Sequence, residues 1–191
     1  MVLQVLPDPK WRKLTDYKER RGSAFAERVW KAVRLDPYFY SSVAKNPSRT
    51  REAVIVAVLS SLVMGLGLML MRIITPLSWL LGGFAWAALV LFAGTWVLVA
   101  LGRRFGGGAQ YVEMLRALGY AMAPQALGFV PIADFVPGFL IGGVWSVACA
   151  VVAVREAHRV PTRLAAVLVI APIFAVISVV PLIAVFLEGG G

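Results

Sequence analysis

The chain has 191 residues, 60% of them apolar and 15% charged, with a mean hydropathy of +0.79. A soluble domain is about 45–50% apolar and about 25% charged, so this surface needs lipid to cover it; a soluble domain, disorder and a disulfide scaffold are excluded. The net charge of +9 would suit a nucleic-acid module, but its distribution along the chain gives it another meaning.

The first stretch, Met1 to Asp16, holds Asp8, Lys10, Arg12 and Lys13 and lacks an apolar core, so it does not read as a signal peptide. Residues 1–52 form a basic N-terminal segment with 12 basic and 6 acidic residues. Within it Phe25, Ala26, Val29, Trp30 and Val33 recur at helical spacing, while Glu27, Arg28, Lys31 and Arg34 take the other face, up to Asp36-Pro37. This predicts an amphipathic helix lying in the headgroup plane, with Phe25, Arg28, Val29, Trp30, Lys31 and Arg34 as candidate membrane-surface residues. Each basic residue there contributes about 1 kcal/mol toward anionic lipid headgroups. Tyr38-Phe39-Tyr40 is expected at the interface. The competing readings are packing under the bundle and a docking site for a soluble protein partner.

Uncharged stretches follow at 53–71, 77–101, 117–133, 135–154 and 164–187, of 19, 25, 17, 20 and 24 residues. At about 1.5 Å per residue across roughly 30 Å of hydrocarbon, four are long enough and the third is marginal. Lipid leaves helix as the only option for such runs. The expected fold is therefore all-α: a polytopic five-helix transmembrane bundle over residues 53–187, preceded by a cytoplasmic amphipathic helix. Asn46-Pro47 and Thr75-Pro76 place a cap before a proline at the first helical position, and Thr162 is expected to cap the fifth span. Gly106-Gly107-Gly108 ends the second helix. It is no phosphate cradle, because Gly102 to Ala109 has neither the lysine nor the hydroxyl of a P-loop.

The third run carries Pro124 within it and Pro131 near its end, and it either crosses with a kink or forms a re-entrant hairpin. Charge parity separates the two. With five crossings, the N-terminal segment joins Arg103, Arg104 and Arg116, and Arg155, Arg159 and Arg163, so that 18 of 19 Lys/Arg share one side and Arg72 stands alone opposite. Without the third crossing, three arginines would move outside, against the positive-inside bias. The N-terminus is expected in the cytoplasm and the C-terminus outside.

Ionisable residues inside spans would mark a transport path, and these runs have none. Arg116 reads as an interfacial anchor and Asp134 as a turn residue. Cys149 reads as a small core hydrophobe, and His158, within Arg155-Glu156-Ala157-His158-Arg159, as a solvated loop histidine. One Cys and one His allow no internal disulfide and no multi-Cys/His metal site. Gly138-x-x-x-Gly142, Gly82-Gly83, Gly65-x-Gly67 and Gly119-x-x-x-Ala123 suit close helix packing, chiefly internal, with a homo-oligomer seam as the alternative. Trp79, Trp86 and Trp145 read as packing or belt residues, and Pro172 and Pro181 as bends. No catalytic constellation, cofactor motif or inverted repeat is present, and topology accounts for the basic residues without nucleic acid.

From its second half the sequence resembles the Yip1 family of small multi-span membrane proteins, in its prokaryotic branch. The residues that carry this are Arg104-Phe105-Gly106-Gly107-Gly108, then Leu115-Arg116-Ala117-Leu118-Gly119-Tyr120-Ala121 with Pro124, and Trp145 with Arg155-Glu156-Ala157-His158. Arg116, Gly119, Tyr120, Pro124, Trp145, Arg155 and Glu156 are thus candidate family-motif residues. The resemblance implies a five-helix membrane domain. Eukaryotic members of that family resemble adaptors for Rab-type GTPases in ER-to-Golgi traffic, but the Asp-Leu-Tyr-Gly-Pro-type motif associated with those members is absent here, and the resemblance implies no role for the prokaryotic members. The excess of Arg over Lys, 14 to 5, points toward a high-GC prokaryote and hence the cell membrane, with ER or Golgi the expectation in a eukaryote. The expected function is a non-enzymatic membrane-organising or adaptor component, with a small transporter or permease subunit as the alternative.

Overall fold

The computed structural model describes residues 25–70, 74–129 and 138–188, and the regular elements among them are all helical. The readings placed on residues 1–16, Arg72, Pro131 and Asp134 fall outside the described residues. Helices α1 (Phe25–Val33) and α2 (Pro37–Lys45) precede a 3-10 turn, Pro47–Arg49, and α3 (Thr50–Leu70). Helix α4 runs over Pro76–Arg104, with a π-helical stretch at Leu89–Gly94 that the sequence pattern does not disclose. Helix α5 (Tyr111–Ala121) leads into a 3-10 segment, Ala123–Phe129, and α6 (Gly138–His158) and α7 (Thr162–Glu188) complete the described chain.

Three of these are long and apolar enough to cross a membrane among the described residues: Pro47–Leu70, Pro76–Arg104 and Gly138–His158. Helix α7 has 27 residues and its helical assignment runs on through Pro172 and Pro181.

The caps largely follow the sequence. The Asn46 side chain accepts the Ser48 N–H at 3.1 Å, and the Thr75 hydroxyl accepts that of Ser78 at 3.2 Å. Asp36, expected only to end α1, also caps α2 by accepting from Tyr38 and Phe39 at 3.0 and 3.3 Å. Thr162 is a correction: it is the first helical residue, because the Ala165 N–H bonds back to the Pro161 carbonyl, and Pro161 holds the cap position. Three helices end in related motifs, in which a residue at the helix end adopts positive φ and one or two amides bond back across the last turn. Gly106, with φ +84°, closes α4 in this way. Leu35 and Arg159 close α1 and α6 with φ of 60° and 57°, a conformation that disfavours side-chain-bearing residues.

The third run departs most from expectation. Its α-helix begins at Tyr111, six residues before the uncharged stretch, because both charges at its start are satisfied: Glu113 accepts the Gln110 N–H at 3.0 Å, and Arg116 is turned into the protein. The α-helix then stops at Ala121 and tightens into the 3-10 segment, where Pro124 removes a donor. Instead of facing lipid as a free-standing span, this segment is the most enclosed stretch among the described residues: Met114 to Gln125 are buried. Glycines let it in. Gly119 abuts the Ala53 backbone, the Gly128 carbonyl meets Gly67, and the Pro124 carbonyl meets Gly142. Between Ala53 and Gly67, α3 advances about 21 Å, so the segment follows α3 through most of a hydrocarbon layer.

Trp79, Trp86 and Trp145 each make one polar tie across the bundle. Trp79 donates from Nε1 to the Leu62 carbonyl at 2.8 Å, beside Gly65, and Trp86 donates to Oε1 of buried Gln125 at 3.3 Å. The small-residue motifs are used inside the chain at Gly65, Gly67, Gly83, Gly119, Gly128 and Gly142, whereas Gly82 and Gly143 face open space.

Candidate functional site

The candidate site is the charged end of the bundle, where α1 and α2 meet the start of α3 and the flank of α6. A nine-residue helix cannot satisfy the carbonyls of its last turn by itself. In α1, the Ala32 carbonyl receives the Tyr40 hydroxyl at 3.1 Å and the Cys149 thiol at 3.5 Å, and the Val33 carbonyl receives Trp145 Nε1 at 2.7 Å. Cys149 is buried, as expected of a core hydrophobe, and it adds a weak donor.

Docking in this way splits the amphipathic face. Ala32 is buried and Val29 and Val33 half-buried, while Phe25 is 42% and Trp30 55% exposed. Arg34 lies over the Trp30 ring, 4.9 Å from its centroid, and Lys31 pairs with Glu27 at 2.8 Å on the exposed side. Arg28 is a correction, since it leaves the exposed basic face and turns inward to Glu52, Nε to Oε1 at 2.6 Å. Arg49 holds the other carboxylate oxygen at 3.0 Å. Burial opposes the charge of Arg28, but the Glu52 carboxylate outweighs it and raises the guanidinium pKa. Tyr38-Phe39-Tyr40 also divides, because neighbours on a helix point about 100° apart. Tyr38 is 87% exposed, while Phe39 and Tyr40 are buried, Phe39 packing edge-on against Tyr120 at 5.1 Å.

The family-motif residues are placed at four junctions. Arg116 is buried, which corrects the interfacial-anchor reading: it donates from Nε to the Thr50 hydroxyl at 2.9 Å and from Nη1 to the Ala44 carbonyl. A single guanidinium thereby ties the end of α2 to the start of α3. Gly119 and Tyr120 continue this junction, Tyr120 bringing its hydroxyl up to the Arg28–Glu52 pair. Pro124 belongs to the enclosed 3-10 segment, and Trp145 holds α1. Arg155 and Glu156 pair at 2.9 Å, and Arg155 reaches the Thr162 hydroxyl at 3.4 Å, spanning the turn from α6 to α7.

His158 is the clearest reversal. It is buried, not solvated, because the glycine loop after α4 closes around it. The imidazole lies against Gly102 and Gly107, where any Cβ would fall on the ring. Its Nδ1 accepts the Ala109 N–H at 3.4 Å, and its carbonyl accepts the Gly108 N–H at 3.4 Å. The glycine run that is no phosphate cradle is thus a cradle for histidine. What these side chains do chemically is bind carbonyls and carboxylates within the chain, while Phe25, Trp30, Tyr38 and Arg34 face outward together with the Lys31–Glu27 pair. Gly102 and Gly107 lie far from His158 in the sequence, so the cradle, like Glu52 and Gln125, carries no local signal.

A family model described as the Yip1 domain matches residues 34–184. No curated protein and no solved structure matches the chain.

Proposed function

The chain belongs to the Yip1 family, and from that premise we propose that it is a non-enzymatic membrane-organising or adaptor component of the cell membrane. Its working surface is the charged end, set at the cytoplasmic headgroup level, with five crossings that put the C-terminus outside. The observation that carries this reading is the pose of α1: docked by its inner face, it still holds Phe25 and Trp30 outward beside Lys31 and Arg34, and Tyr38 at the start of α2 is exposed as well. Apolar rings flanked by cations suit the boundary between acyl chains and anionic headgroups. The path of the enclosed segment along α3 supports the third crossing, and a reporter fused after Gly191 that responds on the cytoplasmic side would overturn the topology.

A spin label at position 30, in a Trp30→Cys, Cys149→Ala background in vesicles containing anionic lipid, tests the surface reading. Relaxation dominated by lipid-soluble oxygen is expected; relaxation dominated by an aqueous nickel complex would sink it. Crosslinking in the membrane at Tyr38, followed by identification of what is captured, tests the adaptor role.

A further inference from the structure

A groove of about 390 Å³ lies where the start of α1 stands off from α3, lined by Phe25, Ser48, Arg51, Glu52, Ile55 and Leu59. Ile55 and Leu59 are four residues apart, one above the other on α3, and both are exposed. They lie on a helix long and apolar enough to span the membrane, so this wall faces hydrocarbon. The rim is different. Glu52 is held by Arg28 and Arg49, while the exposed Arg51 has no carboxylate partner among the described residues. With Glu52 held by its own arginines, Arg51 leaves an uncompensated positive charge at the mouth.

An occupant must therefore carry an anion at one end and an apolar body at the other. An aqueous anion would leave Ile55 and Leu59 uncovered, and a second copy of a chain with net charge +9 would bring the wrong sign. We propose that this groove seats one anionic phospholipid, with its phosphate on Arg51 and an acyl chain along Ile55 and Leu59 under the ring of Phe25. Arginine suits the phosphate because its planar fork can bond two oxygens at once. The assignment rests on the charged end lying at headgroup level and turns that general surface into a site of defined stoichiometry.

Native mass spectrometry of the full chain, released from micelles holding equal amounts of phosphatidylglycerol and phosphatidylcholine of the same chain length, tests it. One phosphatidylglycerol is expected to be retained with a several-fold preference. Arg51→Gln should abolish the preference, Ile55→Trp should reduce retention by filling the wall, and Arg163→Gln, at an exposed arginine beginning α7, should change neither. Equal losses in Arg51→Gln and Arg163→Gln would mean a diffuse basic belt and overturn the site. So would displacement of the lipid by millimolar glycerol phosphate, which would mean an aqueous anion site, or equal retention of the two lipids by the unmodified chain. Melting temperatures of the variants confirm that each is folded. The label at position 30 reads the depth of α1 and the retained mass reads the groove, so each idea can fail without the other.

Discussion

At the charged end of the bundle, helices are joined by directional bonds: Arg116 to Ala44 and Thr50, Arg28 and Arg49 to Glu52, Trp145 to Val33, and the glycine loop to His158. Farther in, the 3-10 segment has one such bond, from Trp86 to Gln125, and is otherwise held by close approach, with Gly67 against the Gly128 carbonyl and Gly142 against the Pro124 carbonyl. The difference follows from solvent. Near headgroups and water, a guanidinium or carboxylate can reach a partner from a polar boundary at modest cost, whereas at depth an ion is expensive and close packing of backbones is the remaining adhesive. The two regions should accordingly fail in different ways: the inner seam by steric exclusion, all or nothing, and the charged end by graded loss of individual ties.

Gly67→Val should have the largest effect. Its side chain would meet backbone that cannot swing aside, so a loss of at least about 3 kcal/mol is expected in detergent unfolding. Gly82→Val, facing open space, should be neutral, and a similar loss there would break the distinction between seam and surface. Next comes Arg116→Met, which preserves bulk but leaves the Ala44 carbonyl unpaired; about 2–3 kcal/mol should be lost. Hydrogen exchange should then quicken in α2 while the inner part of α3 stays protected. Should α3 loosen throughout, the charged end and the seam would be one cooperative unit and not two.

His158→Ala removes the ring that the glycine loop encloses, at a cost of about 2 kcal/mol. Faster tryptic cleavage after Arg104 in micelles is the expected readout, and unchanged cleavage would show that the loop holds itself. Arg159→Gly is the smallest and has the opposite sign, since glycine relieves a positive φ while gaining unfolded-state entropy. A net stabilisation of about 0.5 kcal/mol is expected in thermal unfolding.

Much of the architecture was legible in the sequence because it depends on short-range facts. The described residues of four of the five uncharged runs lie within long helices, and Asn46, Thr75 and Gly106 punctuate as their residue types suggest. The Yip1 resemblance, drawn from residues near the third and fourth runs, is matched by the family model. Hydropathy misled at charged residues that find partners. A count that stops at any charge puts the third helix at Ala117, but α5 begins at Tyr111 and carries Arg116 buried within it. It likewise placed Arg28 on an outer face by periodicity alone, because Glu52 lies 24 residues away and gives no local sign of its pull. The same limit applies to the proposed lipid groove, where Phe25 meets a rim and wall on α3 from across the whole of α2.

The sequence by itself determined that this is a helical membrane protein and set the expectation that its basic residues gather on one side, since apolar content, run length and charge position are each sums over neighbours. Only the tertiary structure decided what those charges touch. Arg116 meets Thr50 across 66 positions, Ala109 meets His158 across 49, and Trp145 meets Val33 across 112. No periodicity encodes such distances. They are set when burial forces every polar group that enters the protein to find a partner there, and the same arginine or histidine that looks solvated in the sequence becomes the tie that holds two helices together.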